Sequence, residues 1–300
     1  MKITLSSQVS QKKLMISPLG VLITLSLMGI SSSLIANQTP PTRGSVISEM
    51  MRDYERPFLL YPYDTNYLLF THTSNLNSYS ISEYEWADNA DKQEAKFQVS
   101  LGFPIWRGIV SENSLLGFSY TQTSWWQSFN MSESAPFRES NYEPQVFLGW
   151  ETDYQFGDWV LRELELGFNH QSNGKAEPTS RSWNRLYARM MAQNGNFQVD
   201  LKPWWRVPES DSNDDNPNIT DYLGHYRLKI AYKLGESTFS AKGGYNWNSG
   251  YGGAELGWSY PITNHVRFYT QVYSGYGESL IDYDHKQTRV GLGFMLNDVF

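Results

Sequence analysis

The sequence predicts an all-β protein, a transmembrane barrel of about twelve antiparallel strands with short periplasmic turns and longer extracellular loops, and three observations carry that prediction. The first is composition: 15% aromatic residues, with 20 Tyr, 11 Trp and 23 Gly, in a chain whose mean hydropathy is −0.50. That combination fits strands in which only alternate residues need be apolar. The second is period-two alternation from Asn66 onward, in segments near the ~9 to 11 residues that cross a bilayer as a tilted strand. The third is an alternation in connection length, short at 194–195, 235–236 and 261–264, long and polar at 73–92, 128–140 and 207–222. A soluble secreted all-β protein is the competing reading, and it has no reason for that asymmetry.

Composition also excludes several classes. At 40% hydrophobic and 18% charged residues the chain is too apolar for disorder. Without cysteine there is no disulfide framework, thiolate zinc site or cysteine nucleophile. With 24 basic against 31 acidic residues, a net charge of −7 argues against nucleic-acid binding.

Residues 1–36 read as a signal peptide: Lys2, Lys12 and Lys13 precede an apolar run from Leu14 to Ile30, and Ser31-Ser32-Ser33-Leu34-Ile35-Ala36 offers small residues for cleavage. An N-terminal membrane anchor is the alternative, which Pro18 and Gly20 in the run disfavour. Residues 37–65, with Pro40-Pro41 and Pro57, lack alternation and are assigned to a periplasmic N-terminal segment that forms a tail or an inner contact. Residues 66–300 are assigned to the outer-membrane barrel, and Phe300 supplies the aromatic terminus common among such barrels.

Within the barrel, Tyr226, Leu228, Ile230, Tyr232 and Leu234 alternate with Arg227, Lys229 and Lys233. Phe197, Val199, Leu201 and Trp205 alternate with Gln198, Asp200, Lys202 and Arg206, and Val290, Leu292, Phe294 and Leu296 share one face of the last segment. The apolar sets are expected to face lipid. The opposite parity sends Glu163, Glu165, Arg185, Arg189, Asp200, Lys202, Arg227 and Lys229 into the lumen, where charges of both signs neutralise one another. That implies a filled interior, whereas open aqueous channels generally need ~16 or more strands.

The anomaly is in 159–172. Its even positions run Val160, Arg162, Leu164, Leu166, Phe168, His170, Ser172, so His170 and Ser172 share the lipid-facing side. In the next segment Ser182, Asn184, Leu186, Ala188 and Met190 share the outward face, which places Asn184 outside as well. Polar side chains on that flank need a reason. A serine is a weak nucleophile without a base, and residues two apart on a strand stand ~6.6 Å apart on one face. His170 is therefore the candidate base for Ser172, with Asn184 orienting the imidazole without contributing a charge. The alternative is that these are polar rim residues with no chemistry. Gln122 has the outward parity of Leu116, Phe118 and Tyr120, and its amide is better satisfied across a two-fold interface than in lipid; the alternative is a rim residue bonded to water.

Asn169-His170-Gln171-Ser172-Asn173-Gly174 followed by Ser180-Arg181-Ser182-Trp183-Asn184-Arg185 resembles the active-site signature of outer-membrane phospholipase A of Gram-negative bacteria. Tyr120-Thr121-Gln122-Thr123-Ser124-Trp125-Trp126-Gln127, Asn141-Tyr142-Glu143-Pro144-Gln145, Tyr251-Gly252-Gly253-Ala254-Glu255-Leu256 and Tyr273-Ser274-Gly275-Tyr276-Gly277-Glu278-Ser279-Leu280 resemble further segments of that family, in order across the mature chain. The resemblance implies a twelve-stranded barrel at the cell surface of the outer membrane. It implies hydrolysis of phospholipid and lysophospholipid acyl esters, with phospholipase A1, A2 and lysophospholipase activity, a requirement for calcium, and a homodimer as the active form. By that match His170 is general base, Ser172 nucleophile, Asn184 orienter, and the Gly174 amide part of the oxyanion hole. Calcium, which prefers oxygen ligands, is implied at the Ser180 hydroxyl, the Lys175 carbonyl and the carbonyl of Ser134 of the partner subunit. Lys175 stands where the family has arginine, an exchange that a backbone ligand tolerates. Glu177 with Asp214 resembles a second calcium site in the monomer, although the family has aspartate at the first position and the loop around Asp214 is longer here.

A small outer-membrane pore, a structural or adhesive barrel and a surface protease remain the rival readings. The protease needs its catalytic groups above the lumen mouth, and the other two leave the outward His170, Ser172 and Asn184 without a reason.

Overall fold

A computed structural model describes residues 45–56, 59–210, 212 and 214–298. The leader expected at 1–36, the stretch 37–44 and Phe300 lie outside the described residues. Twelve strands run in chain order: β1 (Tyr67–Thr73), β2 (Gln93–Arg107), β3 (Ser114–Trp126), β4 (Phe137–Phe156), β5 (Trp159–Ser172) and β6 (Ser182–Asn194), then β7 (Phe197–Arg206), β8 (Tyr226–Leu234), β9 (Ser237–Asn246), β10 (Tyr251–Pro261), β11 (Arg267–Gly275) and β12 (Gln287–Met295). Each pairs antiparallel with its neighbours, and β12 closes on β1 from Arg289↔Thr73 to Met295↔Tyr67. Closure leaves no free sheet edge in lipid, the condition a spanning sheet must meet. No helix among the described residues is long and apolar enough to cross a membrane.

Parity follows the sequence. Phe70, Val99, Leu166, Phe168, Leu256 and Leu292 point outward and are exposed on the flank. Trp106, Tyr154 and Phe156 are exposed toward the short turns, and Phe129, Trp205 and Trp247 toward the long loops, as two aromatic girdles. Inside, Arg189 bonds Glu163 at 3.1 Å, Glu165 at 2.7 Å and Asp200 at 2.7 Å, and Lys229 pairs with Asp64 at 3.2 Å. The lumen is thus crossed by paired charges, each satisfied by a neighbour of opposite sign.

A short helix, α1 (Val46–Arg52), fills the end bearing the short turns. Ser45 caps it by accepting from the Ser48 amide at 3.0 Å, with Glu49 in the first turn and Arg52 in the last, the polarity the helix dipole favours. Ile47, Met50 and Met51 bury against Leu115, Phe147 and Tyr187 on the inner wall. A Cβ on Gly102 would lie 2.8 Å from the Met50 methyl, so this wall is bare where the helix presses on it. A two-residue strand, Tyr61–Pro62, then pairs with β2 before the chain enters β1.

The opposite mouth is capped by α2 (Ile219–Leu223), which buries Ile219 with Trp183, Leu280 and Tyr283. Beneath the cap lies a fully buried ion-pair network. Arg138 bonds Glu94 at 2.7 Å and Asp282 at 2.5 Å, and Glu278 bridges Lys96 and Arg289, each at 2.9 Å.

Candidate active site on the lipid-facing flank

The site is built from β5, β6 and the loop between them. In this hairpin His170 lies directly opposite Asn184, and Ser172 opposite Ser182. His170 Nδ1 and Asn184 Oδ1 are 2.9 Å apart, and the three side chains of interest are each partly buried on the outer face. An amide oxygen only accepts, so this contact requires the hydrogen on Nδ1 and leaves Nε2 as the basic nitrogen. Ser172 stands one pleat further along the same face. Among the described residues its hydroxyl bonds no other side chain, and a catalytic hydrogen bond can be long in the absence of substrate.

Asn173 organises the loop 173–181. Its amide nitrogen donates to the Arg181 carbonyl at 3.0 Å, its side-chain nitrogen to the Thr179 carbonyl at 2.8 Å, and its side-chain oxygen accepts from the Arg181 and Lys175 amides at 3.0 and 3.3 Å. Gly174 then adopts φ +65°, where an added Cβ would be strained and would meet the Tyr142 ring at 3.2 Å. The glycine lets the chain turn sharply two residues after Ser172. Lys175 turns its side chain inward, donating to the Arg138 carbonyl at 2.7 Å and pairing with Glu139 at 2.9 Å, so the site loop is tied to the buried network.

The residues implied as calcium ligands fall in two groups. Ser180 Oγ donates to Asp215 Oδ2 at 2.5 Å, which sets a hydroxyl and a carboxylate side by side next to the Lys175 carbonyl's loop. Glu177 is exposed and Asp214 is engaged elsewhere, pairing with Arg206 at 2.6 Å and accepting from the Asn216 amide at 3.0 Å. The guanidinium of Arg206 takes the Asp214 charge, and the next residue, Asp215, meets Ser180. Among the described residues no group of three or more His, Cys, Asp or Glu gathers as a metal cage. An all-oxygen set of hydroxyl, carbonyls and one carboxylate still fits a hard cation such as calcium. Ser134 lies in the loop between β3 and β4, exposed, with a left-handed φ of 59°.

Gln122 lies on the outer face of β3. It accepts from Tyr120 Oη at 3.1 Å and donates to Ser124 Oγ at 3.1 Å, and Ser124 is 2.8 Å from Ser140. A polar file therefore runs up the apolar flank, internally satisfied.

Sequence reasoning missed two residues of the loop that follows β7. Asp215 is one, and Glu209 is the other: Asn184 Nδ2 donates to Glu209 Oε1 at 3.0 Å. Neither belongs to a periodic segment, so no parity pointed to them; the only signal was the acidic richness of 209–215.

Three comparisons bear on this site. The family model for phospholipase A1 matches residues 45–296. Phospholipase A1 of Proteus vulgaris is 66% identical over 264 residues, 88% of this chain and 90% of that protein. Among solved structures, the outer membrane phospholipase of Salmonella typhi, a dimer with bound calcium, superposes with a TM-score of 0.83 at 64% identity, covering 86% of this chain and 100% of that one. The outer membrane phospholipase A of Escherichia coli, solved as an asparagine-to-alanine active-site mutant, gives a TM-score of 0.83 at 64% identity over 86% of this chain and 99% of that one.

Proposed function

This chain belongs to the phospholipase A1 family of Gram-negative outer-membrane barrels, and from that premise we propose that it hydrolyses phospholipid acyl esters at Ser172 with His170 as base and Asn184 as orienter. The observation that carries the reading is the His170–Asn184 bond, with Ser172 beside it, on the face of the barrel that meets lipid rather than in the lumen. The E. coli relative's active-site asparagine supports the role given to Asn184.

Substrate enters sideways from the outer leaflet. Ser172 Oγ attacks the acyl carbonyl while His170 Nε2 takes its proton, and the Gly174 amide donates to the oxygen that gains charge. The C–O bond to the glycerol oxygen then breaks as the imidazolium returns the proton to that oxygen, releasing a lysolipid. Water, deprotonated by the same nitrogen, attacks the acyl-serine, and Ser172 recovers its proton as the fatty acid leaves. Nothing in this sequence of steps selects one ester position, which accords with A1, A2 and lysophospholipase activity in a single site.

Ser180, Asp215 and the Lys175 carbonyl would hold calcium together with the carbonyl of Ser134 of the partner subunit, and Glu177 with Asp214 would hold a second calcium in the monomer. When bound, calcium supplies positive charge next to the developing oxyanion. The Gln122 file gives two copies a polar strip on which to pair, and assembly then restrains an enzyme able to digest its own bilayer. The segment 37–65 belongs on the periplasmic side, after a cleaved leader at 1–36. The pore reading is disfavoured by α1 and by the Arg189 ion pairs across the lumen.

The test is fatty-acid release from phospholipid in mixed micelles. Excess chelator is expected to lower the rate by about 10²-fold or more, with full recovery on adding calcium. Dilution in detergent is expected to reduce specific activity as dimers part, and undiminished activity in chelated, monomeric protein would contradict both parts of the proposal.

A further inference from the structure

We propose that Glu209 is a positioning residue of this site, one that locks the Asn184 amide and through it selects the tautomer of His170. This rests on the reading of His170, Ser172 and Asn184 given above. The Asn184 amide bonds at both ends, Oδ1 to His170 Nδ1 at 2.9 Å and Nδ2 to Glu209 Oε1 at 3.0 Å. A carboxylate only accepts hydrogen bonds, so Glu209 must take the Nδ2 end and leave Oδ1 for the imidazole. Oδ1 in turn demands a hydrogen on Nδ1, which leaves the lone pair on Nε2.

Without the carboxylate the amide loses that instruction. Rotated by half a turn, it would present Nδ2 to an Nδ1 lone pair and place the hydrogen on Nε2, where it blocks proton transfer from Ser172. The same carboxylate supplies, one residue removed, the negative charge that a Ser-His-Asn arrangement otherwise lacks opposite an imidazolium.

Glu209 is held in place by the chain itself. The Val207 amide donates to the Asn184 carbonyl at 2.8 Å, so the loop leaves β7 pinned to the backbone of the residue that Glu209 orients. Among the described residues Glu209 has no Lys or Arg within ion-pair distance, so its charge is not committed elsewhere. The other charged and titratable groups around the hairpin are accounted for. Tyr142 of β4 shares the outer face opposite Ser172. On the lumen side Arg185 pairs with Glu143, and Arg206 of β7 pairs with Asp214.

The experiment measures kcat and KM in calcium-loaded mixed micelles for wild type, Glu209→Ala, Glu209→Gln and Ser172→Ala. The heat-modifiable electrophoretic mobility of each variant confirms a folded barrel. Glu209→Ala is expected to lower kcat by about 10- to 100-fold with KM little changed, because a fraction of the imidazole is held in the wrong tautomer. Glu209→Gln keeps an oxygen for Nδ2 and is expected to lose less. Wild-type kcat in both Glu209 variants, with Ser172→Ala inactive, would overturn the proposal and leave the nucleophile assignment standing. Equal losses in Glu209→Ala and Glu209→Gln would overturn the amide lock, and an active Ser172→Ala would overturn the reading beneath it.

Discussion

Ser172→Ala is expected to lower fatty-acid release by roughly 10⁴-fold or more, since removing a serine nucleophile leaves only the residual rate from oxyanion stabilisation and binding. The barrel is expected to fold unchanged. The Ser172 hydroxyl bonds no other side chain among the described residues, and Ser172 keeps its backbone pairing opposite Ser182 and Tyr142. Asn184→Ala is expected to fall between wild type and Ser172→Ala, because nucleophile and base remain while the imidazole loses its orienting bond. Initial rates on the same micelles, with circular dichroism of each variant, separate loss of chemistry from loss of fold.

Arg138→Met is expected to destabilise the barrel by about 3 to 5 kcal/mol, the cost typical of leaving buried charges without their partner. Arg138 is fully buried and bonds both Glu94 and Asp282. Its loss leaves Asp282 without a cation and Glu94 with Arg289 alone, at 2.8 Å, and its own backbone carbonyl also receives Lys175 of the site loop. Burial raises the Asp282 carboxyl pKa, but Arg138 more than offsets this and holds it below the usual carboxylate value. At Glu278, burial is likewise outweighed by Arg289 and Lys96, and the pKa falls to about 2. A carboxyl depressed on folding adds stability that is fully present above its unfolded value and is lost as pH falls through the folded one. Wild-type stability should therefore decline from about pH 4.5 toward pH 2, and more shallowly in Arg138→Met. Urea unfolding in lipid vesicles across that range measures both effects.

The strands were legible because a bilayer imposes one rule on every one of them. Lipid tolerates apolar side chains on the outer face and the lumen tolerates charge, so the parity of Tyr226–Leu234 or of Val290, Leu292 and Phe294 reads directly off the letters. The same rule made His170, Ser172 and Asn184 visible, as polar residues on the side where polar residues are costly. Loops obey no such rule. Asp214 and Asp215 differ by one position in an aperiodic stretch, and only the fold sends one carboxylate to Arg206 and the other to Ser180. Glu209 was hidden for the same reason, since it lies in a loop and its partner is 25 residues away on a strand. The helix α1 escaped a period-two reading because its apolar residues, Ile47, Met50 and Met51, are spaced for one turn rather than for a strand.

The most direct test of the central claim is to label the active, calcium-loaded protein with an acyl-chain phosphonate ester that reacts only with an activated serine, and to map the adduct by mass spectrometry. Stoichiometric modification of Ser172 that runs in step with loss of fatty-acid release is the predicted result. Complete inactivation with the label on another residue, or full labelling of Ser172 with activity intact, would contradict a nucleophile on the lipid-facing flank of the barrel.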